Sequence, residues 1–236
     1  MKSFDIITLT VNPALDKSAH FSGLIPEQKI RCEAPLYDAG GGGINVSKAI
    51  SRLEGTSLAV IASGGPSGEM IKEILHKESI AFHAIETKNW TRESFVAVDD
   101  NTNSQYRFNF PGTSISNTEK NEIICAVEGL ESRYLVLSGS LREGLPVDFY
   151  QKMAKIGKQS NARVIVDTSG EALKKVLETG VYMIKPNVGE LAKLIGVEHL
   201  EMEEVSDAAR KIIAVGGAEI VVVSLGPQGA VLVTGD

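Results

Sequence analysis

The sequence predicts an α/β protein with a mostly parallel central sheet, and three observations carry that prediction. Short apolar, β-branched runs at residues 6–11, 57–62 and 81–85 alternate with helical patterns beginning near residues 44 and 69. Strand-helix-strand order of this kind favours parallel pairing. Several apolar runs end in small or polar residues, namely Asn12, Ser138, Asp167, Asn187 and Ser224. Ligands of open parallel sheets sit beyond such strand ends. Finally, Gly40-Gly41-Gly42-Gly43 opens onto a helix start. Glycines let the backbone approach a ligand closely, and the first amides of a helix have no intrahelical acceptor.

Length and composition bound the answer. At 236 residues and 43% hydrophobic content, the chain can bury a substantial core as one large α/β domain or two small ones. A net charge of −6 argues against a nucleic-acid partner. Cys32 and Cys125 are far apart and form no metal spacing with the four histidines, which fits a reducing compartment. Asp5 falls where a signal peptide needs an apolar core, and no apolar run is long enough to span a membrane. A cytoplasmic protein is expected.

Taken in order, residues 6–11 form a buried strand that Asn12-Pro13 breaks. Asp16 follows, a position that suits either a turn residue or a ligand-binding carboxylate. Residues 17–21 and 29–33 read as two short strands around Gly23 and Pro26. Lys29 and Arg31 would then share a face and could hold a phosphate, or simply charge a strand edge. After the glycine run, Ile44, Ala49, Ile50 and Leu53 fall on one helical face, with Gly55 as its stop. The run does not have the dinucleotide-binding order, and it follows Pro35 rather than a clear strand. Ser67 is placed to cap a helix over residues 69–77.

Trp90-Thr91-Arg92 interrupts the α/β rhythm. Phe95 and Ala97, then Tyr106, Phe108 and Phe110, alternate around a polar turn at residues 99–104, the pattern of an antiparallel hairpin. Arg92 and Arg107 on that hairpin, with Lys29 and Arg31, suggest a lid over an anionic substrate. Each cation alone is equally a solvated surface charge. From residue 117 helices (117–130, 146–160, 171–178, 206–216) alternate with strands (133–137, 163–166, 182–184, 219–223, 230–233). Pro146 is read as a first-turn proline and Asn187 as a cap for the helix carrying Glu190.

Several stretches together resemble the phosphofructokinase-B branch of the ribokinase-like sugar kinases. They are Thr8-Leu9-Thr10-Val11-Asn12-Pro13-Ala14-Leu15-Asp16, Gly40-Gly41-Gly42-Gly43-Ile44-Asn45-Val46, Trp90-Thr91-Arg92 and Gln105-Tyr106-Arg107-Phe108. They continue with Ser138-Gly139-Ser140-Leu141, Val166-Asp167-Thr168-Ser169-Gly170, Lys185-Pro186-Asn187-Val188-Gly189-Glu190 and Val223-Ser224-Leu225-Gly226-Pro227-Gln228-Gly229. The match runs over essentially the whole chain in the family's order. Ile30-Arg31-Cys32, with the Trp-Thr-Arg and Tyr-Arg-Phe stretches, points within it to the type 2 6-phosphofructokinases. Tagatose-6-phosphate kinases and 1-phosphofructokinases are near relatives.

The resemblance implies a three-layer α/β/α sandwich over residues 1–236, with β-lid segments at about 13–36 and 90–112 inserted, dimerising through the lids. It implies transfer of a phosphoryl group from ATP, with Mg²⁺, to fructose 6-phosphate. Asp16, Gly41, Gly42 and Asn45 would hold sugar hydroxyls, with a further contact from Ser140. Lys29, Arg92 and Arg107 would grip the phosphate already on the sugar. Lys185 and Asn187 would bind ATP phosphates, Glu190 would organise Mg²⁺ through water, and Ser224, Gly226 and Gly229 would line the nucleotide pocket. The family's Gly-Ala-Gly-Asp motif, which carries its general base and anion hole, is expected beyond Asp236. The resemblance therefore implies a fold with its C-terminal part missing, no catalytic base in this chain, and a sugar-phosphate-binding fragment as the alternative reading. Arg142-Glu143 stands where the family carries prolines.

Overall fold

Two sheets organise residues 4–235, the part of the chain that a computed structural model describes. Met1 to Ser3 and Asp236 lie outside the described residues, and with them the first residues of the N-terminal stretch read above against a signal peptide. The chain begins with β1 (Ile6–Thr10), β2 (Ala14–Phe21), β3 (Leu36–Gly40), α1 (Gly42–Arg52), β4 (Ser57–Ser63), α2 (Gly65–Lys77) and β5 (Ala81–Glu86). It continues with β6 (Arg92–Asp99), β7 (Ser104–Asn109), α3 (Asn117–Glu128), β8 (Tyr134–Ser138), α4 (Phe149–Gln159) and β9 (Arg163–Asp167). The last elements are α5 (Gly170–Leu177), β10 (Val181–Ile184), α6 (Val188–Ile195), α7 (Val205–Ala214), β11 (Ala218–Ser224) and β12 (Ala230–Thr234).

The large sheet has the order β12-β11-β10-β9-β8-β1-β4-β5. Its pairs are parallel except β11 with β12. Alternation along β4 shows how it is covered on both faces. Ala59 and Ile61 pack with Ile44 of α1 and Ile71 and Leu75 of α2. Val60 and Ala62 turn the other way, into the larger core that α3 to α7 close. This is the three-layer α/β/α arrangement expected from the sequence. A four-stranded sheet, β3-β2-β6-β7, stands apart from it and forms the lid.

Several expectations need correcting. Residues 29–33 are not a strand: only Cys32 makes a bridge, to Phe21, and Lys29 is exposed in a loop. Ile30 and Cys32 lie against the apolar face of the lid without extended pairing, and the lid's second strand is instead β3, which pairs with β2 and buries Ala39. The glycine run thus does follow a strand. In α1, Ala49 is exposed and Leu53, past the helix end, is 82% exposed. The buried face is Gly43, Ile44, Ser47 and Lys48. A Cβ on Gly43 would sit 2.5 Å from Thr10 Oγ1, and Ser47 Oγ lies 2.9 Å from Thr8 Oγ1. Close helix–strand approach through small residues decides the face, not the apolar count. Finally, α2 starts at Gly65, and Ser67 donates to the Thr91 carbonyl rather than capping. α4 starts at Phe149, after a turn in which Pro146 O accepts from Phe149 N.

Candidate functional site

The period-two alternation of the lid strands builds a polar cleft of about 340 Å³ on one face. Register places Asp16 opposite Asp38 on one side and Ser94 on the other, and Ser94 opposite Asn109. One step along, Ser18 lies beside Val96, which lies beside Arg107. One step back, Ala14 lies beside Arg92. All of these residues line the cleft, as does Gly41. A row of hydroxyl, amide and carboxylate acceptors is therefore flanked by two guanidinium groups.

The electrostatics follow from burial. Desolvation raises the Asp16 pKa most strongly; a hydrogen bond with Ser94 and the charges of Arg92 and Lys48 oppose it, while Asp38 adds to it. A Cβ on Gly40 would collide with the Asp16 carboxylate, so only glycine fits at the end of β3. Arg92 Nε is buried with no hydrogen-bond partner among the described residues. Such a donor is costly unless a ligand satisfies it. Behind Asp38, the buried Lys48 ammonium bonds its carboxylate and that of Glu78, the latter at 3.1 Å.

Where the glycine run enters α1, the cleft meets the rim of the large sheet. Gly41 takes φ 127° and caps the helix, and Gly42 abuts Ser138 so closely that a Cβ there would collide with its hydroxyl. Ile44 N donates to Thr10 Oγ1, while the amides of Gly42 and Gly43 have no intrahelical acceptor. Along the rim, Asn12 Nδ2 donates to Ser140 Oγ at 3.0 Å, and Lys185 Nζ lies 3.3 Å from Asp167 Oδ1. Asn187 and Glu190 form a capping box on α6: Asn187 Oδ1 accepts from Glu190 N, and Glu190 Oε2 accepts from Asn187 N, both at 2.9 Å. Ser224 bridges to Asn187, and Gly226 and Gly229 shape the single 3-10 turn after it with φ of 61° and 97°.

Of the residues singled out from the sequence, Asp16, Gly41, Arg92 and Arg107 meet in the cleft. Gly42 and Ser140 lie at the rim between cleft and sheet. Asn45, in the first turn of α1, is exposed and does not line the cleft, and neither does Lys29. Ser94, Asn109 and Asp38 were missed. Stepping by two from Arg92 and Arg107 reaches Ser94 and Asn109, so their signal was present. Asp38 had none, because its strand was misplaced.

A family model described as pfkB family carbohydrate kinase matches residues 3–236. The chain is 41% identical over 231 residues to the ATP-dependent 6-phosphofructokinase isozyme 2 of Mycobacterium tuberculosis, covering 97% of this chain and 68% of that protein. It is 35% identical to the 1-phosphofructokinase of Bacillus subtilis, covering 98% of this chain and 75% of that one. The crystal structure of phosphofructokinase-2 from Escherichia coli in complex with fructose-6-phosphate superposes with a TM-score of 0.94 at 38% identity, over 99% of this chain and 78% of that chain.

Proposed function

The chain belongs to the pfkB family of carbohydrate kinases, and from that premise we propose that its substrate is fructose 6-phosphate, phosphorylated by ATP to fructose 1,6-bisphosphate in glycolysis. The observation that carries this reading is the cleft itself: hydroxyl-reading acceptors at Asp16, Ser94 and Asn109 stand beside the phosphate-matching cations Arg92 and Arg107. Phosphoryl transfer asks mainly for positioned groups and charge neutralisation. Asp16, Gly41 and Gly42 hold the sugar, with Ser140 at its edge and Asn45 reaching it from the exposed first turn of α1. Arg92 and Arg107 hold the existing phosphate, and Lys29 reaches it from a partner copy.

ATP is proposed to lie along the rim, with Lys185 and Asn187 at its phosphates and Ser224, Gly226 and Gly229 around the nucleotide. No group of three His, Cys, Asp or Glu residues that could hold a metal occurs among the described residues. Mg²⁺ is proposed to arrive on the nucleotide phosphates, met by Glu190 through water. Bound there, the metal would neutralise phosphate charge. No helix among the described residues is long and apolar enough to cross a membrane. A cytoplasmic location is proposed from the likeness to 6-phosphofructokinases.

The second face of the lid supports a homodimer. Phe21, Leu24, Ile30, Cys32, Phe95 and Phe108 line an apolar depression there of about 170 Å³. Leu24 and Phe108 are each 51% exposed. An apolar sheet face beside a solvated polar one is what a second copy would cover. Phe108→Asp is expected to convert a dimer into a monomer in sedimentation equilibrium. An unchanged mass for the variant would place the interface elsewhere.

Substrate identity is tested by coupled ADP release with ATP and Mg²⁺ on this chain and on any longer product of its reading frame. Fructose 6-phosphate is expected to give the highest kcat/KM. A preference for fructose 1-phosphate or tagatose 6-phosphate would overturn the sugar assignment. Sugar-phosphate binding without turnover in any product would favour a binding protein.

A further inference from the structure

Arg142 lies outside the cleft, yet it is the most buried cation among the described residues, at 3% exposure. Its guanidinium donates to Thr113 O, Thr113 Oγ1, Asn89 O and Ala62 O, the last two at 3.4 Å. These acceptors come from three different parts of the chain. Ala62 is in β4 of the large sheet. Asn89 precedes the lid hairpin and Thr113 follows it. Arg142 therefore stands where both crossings of the lid hairpin meet the large sheet.

The surrounding bonds extend the same joint. Glu119, at the start of α3, accepts Lys88 N and Ser116 N, both at 2.6 Å, and its charge faces Arg142. The two crossings are also tied to each other, since Thr113 Oγ1 donates to Trp90 O at 2.9 Å. The three carbonyls just before β6 are each hydrogen-bonded. Asn89 O accepts from Thr87 Oγ1 as well as Arg142, Trp90 O from Thr113, and Thr91 O from Ser67 Oγ. Thr91 N and Oγ1 are paired with Gly64 O and N. The next residue is Arg92.

We propose that Arg142 is a positioning residue: by clamping both crossings of the lid, it sets where Arg92 presents its guanidinium to the phosphate of the sugar. This rests on the sugar-phosphate reading of the cleft. Burial and the Thr113 and Asn89 acceptors fix the fork of Arg142 in one plane, which a lysine ammonium cannot reproduce. A guanidinium outside the cleft thus acts through backbone rather than by touching the ligand. A displacement of about 1 Å in a phosphate-gripping group is enough to cost binding severely.

The experiment is a double-mutant cycle between Arg142→Lys and Arg92→Ala, read by titrating fructose 6-phosphate against Trp90, the sole tryptophan and 60% exposed. Arg142→Lys keeps the charge that Glu119 needs, and Thr113→Val, which removes one acceptor of Arg142 together with the bond to Trp90 O, provides a second probe of the same joint. Each is expected to weaken fructose 6-phosphate binding about tenfold in the native background, by the loss of roughly one charged hydrogen bond's worth of positioning. In the Arg92→Ala background neither is expected to change it further. Equal losses in both backgrounds, or no loss in either, would overturn the proposal. A native chain that bound no sugar phosphate would refute the functional reading instead. The clamp would then be judged by amide hydrogen exchange: protection at residues 87–92 and 112–116 in Arg142→Lys equal to the native chain would overturn it, and faster exchange confined to them would support it.

Discussion

Arg92→Ala is expected to weaken fructose 6-phosphate binding by about 10–100-fold while changing free fructose by less than about threefold. A charge-assisted hydrogen bond to an anion is worth ~1.5–3 kcal/mol where solvent is excluded. Arg92 meets that condition, since its Nε is buried and has no partner among the described residues. Arg107 does not: it is exposed, and its Nη2 already donates to Gln105 Oε1 at 3.1 Å. Salt and water screen such a group, so Arg107→Ala is expected to cost less and to lose its effect at high ionic strength. Isothermal titration with both ligands, at low and high salt, separates the two arginines. If Arg92→Ala lowered affinity for fructose and its phosphate alike, its side chain would be shaping the cleft rather than gripping the anion.

How much of this was legible beforehand depends on whether local pattern or tertiary contact decides each residue. The strands of the large sheet are apolar on both faces, and such runs can be read without knowing what covers them. Asn187 and Glu190 announce their helix by a capping box that is complete within a few residues. The lid hairpin was legible because its alternation and polar turn are local too. By contrast, β3 is exposed along Leu36, Tyr37 and Asp38 and is held by pairing with β2, a fact of register rather than composition. Misplacing it hid Asp38 from the candidate site and put Lys29 on a strand that does not exist. The inward face of α1 was misjudged for a related reason. Ser47 and Lys48 are buried because Thr8, Asp38 and Glu78 receive them, and those partners are distant in sequence. Arg142 is the extreme case, since its acceptors at residues 62, 89 and 113 are brought together only by the fold.

Asp16→Asn is expected to do two opposite things, namely to stabilise the fold and to disable the cleft. Burial is the largest influence on Asp16 and raises its pKa above the ordinary carboxylate value, although Ser94, Arg92 and Lys48 pull it back. The folded chain thus binds the Asp16 proton more readily than the unfolded chain does. Between the ordinary and the raised pKa, stability from this group falls as pH rises, and above both the full cost of the buried charge is present. An asparagine of nearly the same shape carries no such charge, so the variant is expected to melt at a higher temperature than the native chain at pH 7.5. The difference is expected to shrink on acidification, once native Asp16 is itself protonated. Sugar binding moves the other way. An ionised carboxylate accepts from two hydroxyls, whereas an amide offers one acceptor and adds a donor that a hydroxyl-reading row does not need. The loss is expected to be about 10–100-fold for fructose 6-phosphate, on the scale of one or two charged hydrogen bonds. The native affinity is expected to begin falling at a higher pH than an unburied carboxylate would dictate, and the variant's affinity to show no such step. Scanning calorimetry and ligand titration between pH 5 and 7.5 read both effects. A variant that melted lower while binding sugar phosphate as before would make Asp16 a residue of the lid's structure, because only a carboxylate retained for ligand would be worth its cost to the fold.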